Sequence, residues 1–179
     1  MGRVEGKVAV VTGAGTGIGR AAAKRLAEEG AIVTVAEMDE GTGQEVASEI
    51  GGQAIFIQHD VREERNWQSL FETVTQDHGR PDILINNAGL VSIGPTEEYS
   101  IDDWSKQTDV MLSGVFYCMQ AVGRSMLKVG KGVILNISSI GGFGAWPLRA
   151  SYNSNKAGVI SLTENIGCEW ARRGVRVVS

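Results

Sequence analysis

Ser139, Tyr152 and Lys156 are the side chains whose types and spacing could do chemistry. Tyr152 and Lys156 stand four apart, so on a helix they share one face, and Ser139 directly follows an apolar run, GVILNIS over residues 132–138, that reads as a strand. A phenol is a poor base at its ordinary pKa of about 10, but a neighbouring ammonium favours the phenolate, and a hydroxyl beside the pair can hold an oxygen. The same spacing is satisfied by an amphipathic helix pair with a snorkelling lysine. The triplet therefore takes its meaning from what is placed next to it.

A glycine-rich turn is the first such neighbour. Residues 12–19 read TGAGTGIG. The spacing GxGxxG does not fit from Gly13, because Ile18 occupies its last position, nor from Gly15, because Arg20 does; GxxxGxG through Gly13, Gly17 and Gly19 fits. Glycines permit a tight turn and close backbone approach, and the helix N-terminus that follows, entered through Thr16 and Ile18, presents N–H groups and a positive dipole end to a pyrophosphate.

Glu37 stands at the end of the second strand, twenty residues after Gly17. An acid there accepts hydrogen bonds from the adenosine ribose and repels a 2′-phosphate. Neither Thr16 nor Met38 is a basic residue that would greet that phosphate, so NAD is the expected cofactor over NADP. Asp60 and Val61 follow the third strand, and NNAG, containing Asn87, Ala88 and Gly89, follows the fourth. In an open parallel sheet these carboxyl ends line the ligand crevice, where Asp60 could accept from the adenine amino group and Ala88 and Gly89 let backbone approach the cofactor. Taken alone, NNAG is an Asn-rich turn.

The elements that must position these groups alternate along the chain. Strands are predicted over residues 7–12, 31–36, 53–58, 82–85, 132–138 and 175–178. Helical patterns lie between them: after the glycine turn, over 44–50, around Trp67 to Val74, along a long helix from Trp104 to Met126 that contains Gly114 and Gly123, and over 152–172. This alternation predicts an α/β fold, a doubly wound parallel sheet of Rossmann type with strand order 3-2-1-4-5-6 and right-handed crossovers.

Read together, TGAGTGIG, NNAG, the serines at 138 and 139 and YNSNK resemble a short-chain dehydrogenase/reductase of the 250-residue type, and the resemblance covers essentially the whole chain. It implies that Tyr152 donates or accepts the substrate proton, that Lys156 supports it and bonds the nicotinamide ribose, and that Ser139, thirteen residues before Tyr152, binds the substrate. The implied reaction is hydride transfer between NAD(H) and a small-molecule secondary alcohol or ketone. The resemblance also implies a homodimer or homotetramer, joined through the long fourth helix and the Tyr152 helix. An epimerase or dehydratase using transient oxidation is a weaker reading, because the spacing GxxxGxG resembles the 250-residue branch more than the extended, epimerase-like one, whose glycine turn is spaced differently.

Two departures qualify that picture. Met111 stands where the family places an asparagine thought to hold a water in a relay from the lysine to solvent, and a thioether is only a weak acceptor. Proton exchange with bulk is therefore expected to be impaired or rerouted. Met111→Asn would raise turnover if so, and unchanged rates would remove the idea. The second departure is length: the loop after the sixth strand, the substrate lid and the final strand have no counterpart after Ser179. Residues 1–179 are accordingly expected to be a single dinucleotide-binding and catalytic domain lacking its C-terminal segment. The alternative function, for the same reason, is a non-catalytic NAD-binding or interaction module.

Bulk composition bounds the rest. The 179 residues are 42% apolar and 21% charged, with net charge −4, as in ordinary globular domains. That charge and scattered basic residues argue against nucleic acid or an anionic membrane as partner, and no apolar run reaches the roughly 18 residues of a bilayer span. No signal-peptide pattern precedes the first strand, so a cytoplasmic location is expected. Cys118 and Cys168 lack CxxC spacing and are expected to be packed side chains, with no metal site. His59 and His78 are expected to be surface or cap residues, and Trp146, Pro147 and Leu148 either line an apolar substrate pocket or anchor their loop.

Overall fold

The computed structural model describes residues 2–52 and 54–179. Six strands form one parallel sheet in the order β3-β2-β1-β4-β5-β6, as the alternation predicts: β1 Val8–Thr12, β2 Ile32–Glu37, β3 Ala54–Gln58, β4 Ile83–Asn86, β5 Gly132–Asn136 and β6 Val175–Val178. Gln53, the predicted first residue of the third strand, lies outside the described residues. All five residues of β1 are buried, which a central strand requires when both faces of the sheet are covered.

The pleat sorts the core into two layers. Val8 and Val10 face one layer with Leu84 and Ile134, packed by α3 (Glu64–His78), α5 (Gly114–Val129) and α6 (Ala150–Ala171). Ala9 and Val11 face the other with Val33 and Val35, packed by α1 (Gly17–Glu28) and α2 (Glu40–Ile50). Among the described residues, no helix is long and apolar enough to cross a membrane.

Three local differences from the pattern have physical causes. The second helix begins at Glu40, not at residue 44, because the Asp39 side chain accepts from Thr42 N at 2.8 Å and caps it. The predicted long helix is two α-helices, α4 (Ile101–Thr108) and α5, joined by a π-helical turn over Asp109–Ser113. Such a turn widens a helix and is enriched at functional sites; Met111 is buried within it. Of the cysteines, Cys118 is buried as expected, whereas Cys168 lies on the solvent side of α6 and is exposed.

Candidate functional site

Beyond the carboxyl ends of β1 to β4 lies a cleft of about 520 Å³. Gly13, Thr16, Gly17 and Ile18 line it from the glycine turn, and Glu37, Asp60 and Val61 from the ends of β2 and β3. Asn87, Ala88 and Gly89 complete the wall after β4. Gly19 is placed differently: it is buried beneath the turn, where a Cβ would overlap the Gly13 carbonyl oxygen.

The turn is clamped from below by the NNAG segment. Gly13 has φ 60°, and a Cβ on it would come within 2.8 Å of the Ala88 Cα, so backbone and turn are in close contact. The Asn87 amide donates to the carbonyls of Thr12 and Gly13, both at 3.0 Å. The buried Thr12 hydroxyl accepts from the N–H groups of Asn87 and Ala88 at 3.0 and 3.1 Å. Asn87 thus borders the cleft while its amide is committed to holding the turn. Thr12, which ends the first strand, is a member of this clamp that the pattern did not single out.

α1 then opens on the cleft with an uncapped end. Its N-cap, Thr16, makes no side-chain capping bond, and no acidic residue stands in its first turn. Its N–H groups and dipole are left for an anion, and these residues fit the pyrophosphate of a dinucleotide.

Glu37 and Asp60 are both fixed by hydrogen bonds. Glu37 accepts from Gly15 N at 2.9 Å, Met38 N at 2.8 Å and Asp39 N at 3.2 Å, which leaves about one acceptor site of a carboxylate for a ribose hydroxyl. Asp60 accepts from Arg62 N, and its two oxygens also take the Arg62 guanidinium, Nε at 3.0 Å to each and Nη2 at 2.6 Å. These bonds hold the Asp60 carboxyl below the usual carboxylate range. They also occupy the acceptor sites expected to serve the adenine amino group. Arg62 and Lys106 line the same cleft, two cations beyond the positions of Thr16 and Met38 considered in the sequence.

His59 is not a surface residue. It is 3% exposed, packed edge-on against Trp67 with ring centroids 4.1 Å apart, and burial pushes its imidazole down to about 4, so it is neutral near pH 7. Trp67 in turn donates from its indole N–H to the Val61 carbonyl at 3.2 Å, which holds the β3 exit against α3. His78 is the last residue of α3 and half-buried, and the cap position itself is taken by Gly79.

Ser139, Tyr152 and Lys156 do not line the cleft but gather at the end of β5, the strand that pairs with β4. The Ser139 hydroxyl accepts from Gly141 N at 3.1 Å and starts a 3-10 turn, Ile140–Gly142. That turn lies flat on α6: a Cβ at Gly142 would come within 3.0 Å of the Lys156 and Ala157 backbone. Lys156 is 6% exposed; its Nζ donates to the Ile137 carbonyl at 2.6 Å and stands 5.8 Å from the centroid of the Tyr152 ring. Burial lowers the pKa of its ammonium. Met111, 1% exposed, reaches the NNAG turn, its Sδ 3.8 Å from where a Gly89 Cβ would be.

Comparison with known proteins places this geometry in company. A family model described as short chain dehydrogenase matches residues 7–179. A D-threitol dehydrogenase of Mycolicibacterium smegmatis is 36% identical over 178 residues, which are 98% of this chain and 68% of that protein. The crystal structure of an NAD+-bound xylitol dehydrogenase superposes with a TM-score of 0.94 at 32% identity, covering 98% of this chain and 69% of the other. A gluconate 5-dehydrogenase from Burkholderia cenocepacia, in complex with NADP and tartrate, gives a TM-score of 0.92 at 35% identity, covering 98% and 70%.

Proposed function

Because the chain belongs to the short-chain dehydrogenase family, and so to a family of oxidoreductases built on a fold that binds a nicotinamide cofactor, we propose that it transfers a hydride between NAD(H) and a secondary alcohol or ketone, with Tyr152 as acid and base. The observation that carries this reading is the buried Lys156 ammonium beside the Tyr152 ring, at the strand end that also carries Ser139. When bound, the nicotinamide supplies or accepts the hydride. The chain's own groups do the rest. Ser139 holds the substrate oxygen, Tyr152 gives it a proton in reduction and takes one in oxidation, and Lys156 stabilises the phenolate by its charge.

Gly13, Thr16, Gly17 and Ile18 would hold the pyrophosphate, Glu37 the adenosine ribose, and Asp60, Val61, Asn87, Ala88 and Gly89 the walls around the adenine and its linker, with Gly19 keeping the turn in place from beneath. One domain would carry both cofactor and substrate groups. The groove of about 510 Å³ between α5 and α6, lined by residues such as Leu112, Phe116 and Leu162, supports a homo-oligomer through those helices, which sedimentation velocity tests.

The direct experiment mixes the chain with NADH and a panel of ketones. Loss of nicotinamide absorbance matched by alcohol formation is the expected result. Binding of NADH with no hydride passed to any ketone would replace this reading with the non-catalytic one.

Cofactor choice is a separate prediction. Glu37 brings a carboxylate to the cleft with one acceptor site left, whereas a 2′-phosphate there would meet its negative charge. The chain is expected to prefer NADH over NADPH by about tenfold or more, and Glu37→Gln to shrink that ratio by about tenfold, as loss of one charge-assisted contact does. Titrating both cofactors into both proteins reads the ratio. Arg62 and Lys106 are the groups that would host the phosphate if NADPH were preferred from the outset.

A further inference from the structure

Two loops bracket the region around Tyr152, and they are tied to one another: Gly94 N donates to the Leu148 carbonyl at 3.1 Å. The first, residues 90–95, leaves the NNAG turn; the second, residues 140–149, joins Ser139 to α6. Both are apolar and open. Val91 and Ile93 in one, and Phe143, Trp146 and Leu148 in the other, are between 43% and 79% exposed. Across both stretches the sequence contains a single charged residue, Arg149, three positions before Tyr152.

The chain is bent to present that residue. Leu148 has φ 65°, the one non-glycine residue with positive φ among those described, in a region that disfavours a branched side chain and recurs at ligand clamps. Arg149 follows as the N-cap of α6, half-buried and making no side-chain capping bond. Its guanidinium lies 5.5 Å from the centroid of the Trp146 ring. Stacking on an indole face leaves the edge N–H groups of a guanidinium free, and those match a planar carboxylate in a two-pronged bond. Among the described residues Arg149 has no acidic side chain within 4.0 Å, a state it shares with Arg65, Arg124, Arg172, Arg173 and Arg176; what sets it apart is its stacking on Trp146 between two otherwise uncharged loops.

We propose that Arg149, stacked on Trp146, anchors a carboxylate of the substrate, so that the chain interconverts oxo acids and hydroxy acids whose apolar body lies against the two loops. This rests on the reading of Tyr152 as the acid and base. One guanidinium in otherwise uncharged loops balances one negative charge, which suits a carboxylate better than a phosphate carrying nearly two. In the reducing direction the ketone carbon gains a hydride and its oxygen a proton, NADH leaves as NAD+, and the carboxylate is unchanged. The distance from anchor to Tyr152 selects which ketone along the body is reduced.

The test uses levulinate, the next two longer methyl-ketone acids, and the methyl ester of each, reduced by the whole chain with NADH. For at least one length the acid is expected to exceed its ester in kcat/KM by roughly 10- to 100-fold, the range for a hydrogen-bonded charge pair. Arg149→Met is expected to collapse that preference to about one through KM, and Arg149→Lys to restore part of it. Esters used as well as acids by the unaltered chain, or acid and ester lowered alike by Arg149→Met, would overturn the proposal. If no ketone is reduced at all, the hydride-transfer reading fails separately, and calorimetric titration of the same acids decides the anchor. Saturable binding that Arg149→Met removes supports it, and binding that is absent or equal in the two proteins overturns it.

Discussion

Tyr152→Phe is expected to lower turnover by about a thousandfold while leaving NADH affinity within about twofold, the middle of the range for loss of a general acid and base. The substitution removes one oxygen and keeps the ring. The ring is what stands 5.8 Å from the Lys156 ammonium, and the phenylalanine preserves that contact and the packing of the first turns of α6. Lys156 remains bonded to the Ile137 carbonyl, a contact independent of the phenol. Any loss of rate is therefore assigned to the missing proton rather than to a collapsed site. Steady-state kinetics with a reducible ketone and fluorescence titration of NADH measure the two quantities. Residual turnover within tenfold of the parent would remove Tyr152 from the chemistry and leave Ser139 or a solvent molecule as the proton source.

The residues carrying that prediction are legible in the amino-acid sequence because their signals are local. β-branched runs mark the strands, glycine spacing marks the turn, and a four-residue interval places Tyr152 and Lys156 on one face of α6. The features that sequence does not reveal depend on contacts between distant segments. His59 is polar and sits at a strand end, yet Trp67, eight residues on, covers it. Asp60 and Arg62 are two apart in sequence, but only their side-chain geometry shows that the acid's oxygens are committed to the guanidinium. The π-helical turn at Asp109–Ser113 continues the apolar periodicity of its neighbours and so leaves no trace in the pattern. Cys168 shares the helix pattern around it, and only the absence of a covering layer on that side of α6 exposes it.

The division of labour between the two ends of the sheet follows from the same contacts. At β1 and β4, Thr12 and Asn87 bind protein to protein, which fixes the shape of the glycine turn. A preformed cradle binds without the added cost of ordering a loop. At β5 the side chains are held more lightly: the Ser139 hydroxyl accepts one hydrogen bond, from Gly141 N, and the Lys156 ammonium donates one, to the Ile137 carbonyl. On the proposed function, cofactor binding falls mainly to the first half of the chain and the chemistry to the second.

Gly19→Val is expected to weaken NADH binding by about a hundredfold or more, because it strikes the contact on which that cradle depends. A Cβ at Gly19 would overlap the Gly13 carbonyl oxygen and come within 2.5 Å of the Asn87 amide nitrogen, two atoms that are bonded to each other at 3.0 Å. Neither can yield cheaply. The first is backbone in a turn held at φ 60°, and the second is fixed by its further bond to the Thr12 carbonyl. A branched side chain must therefore part α1 from the NNAG segment and move the helix N-terminus away from the pyrophosphate position, which removes both its N–H groups and its dipole from the ligand. Asn87→Ala separates this effect from misfolding, since it takes away the two donor bonds without adding volume. It is expected to cost about tenfold in affinity, the lower end for carbonyls left without a donor. Calorimetric titration of NADH, with thermal unfolding of each variant as the control for fold, gives the comparison. A folded Gly19→Val protein that binds NADH within threefold of the parent would mean that the pyrophosphate is held elsewhere than at the start of α1.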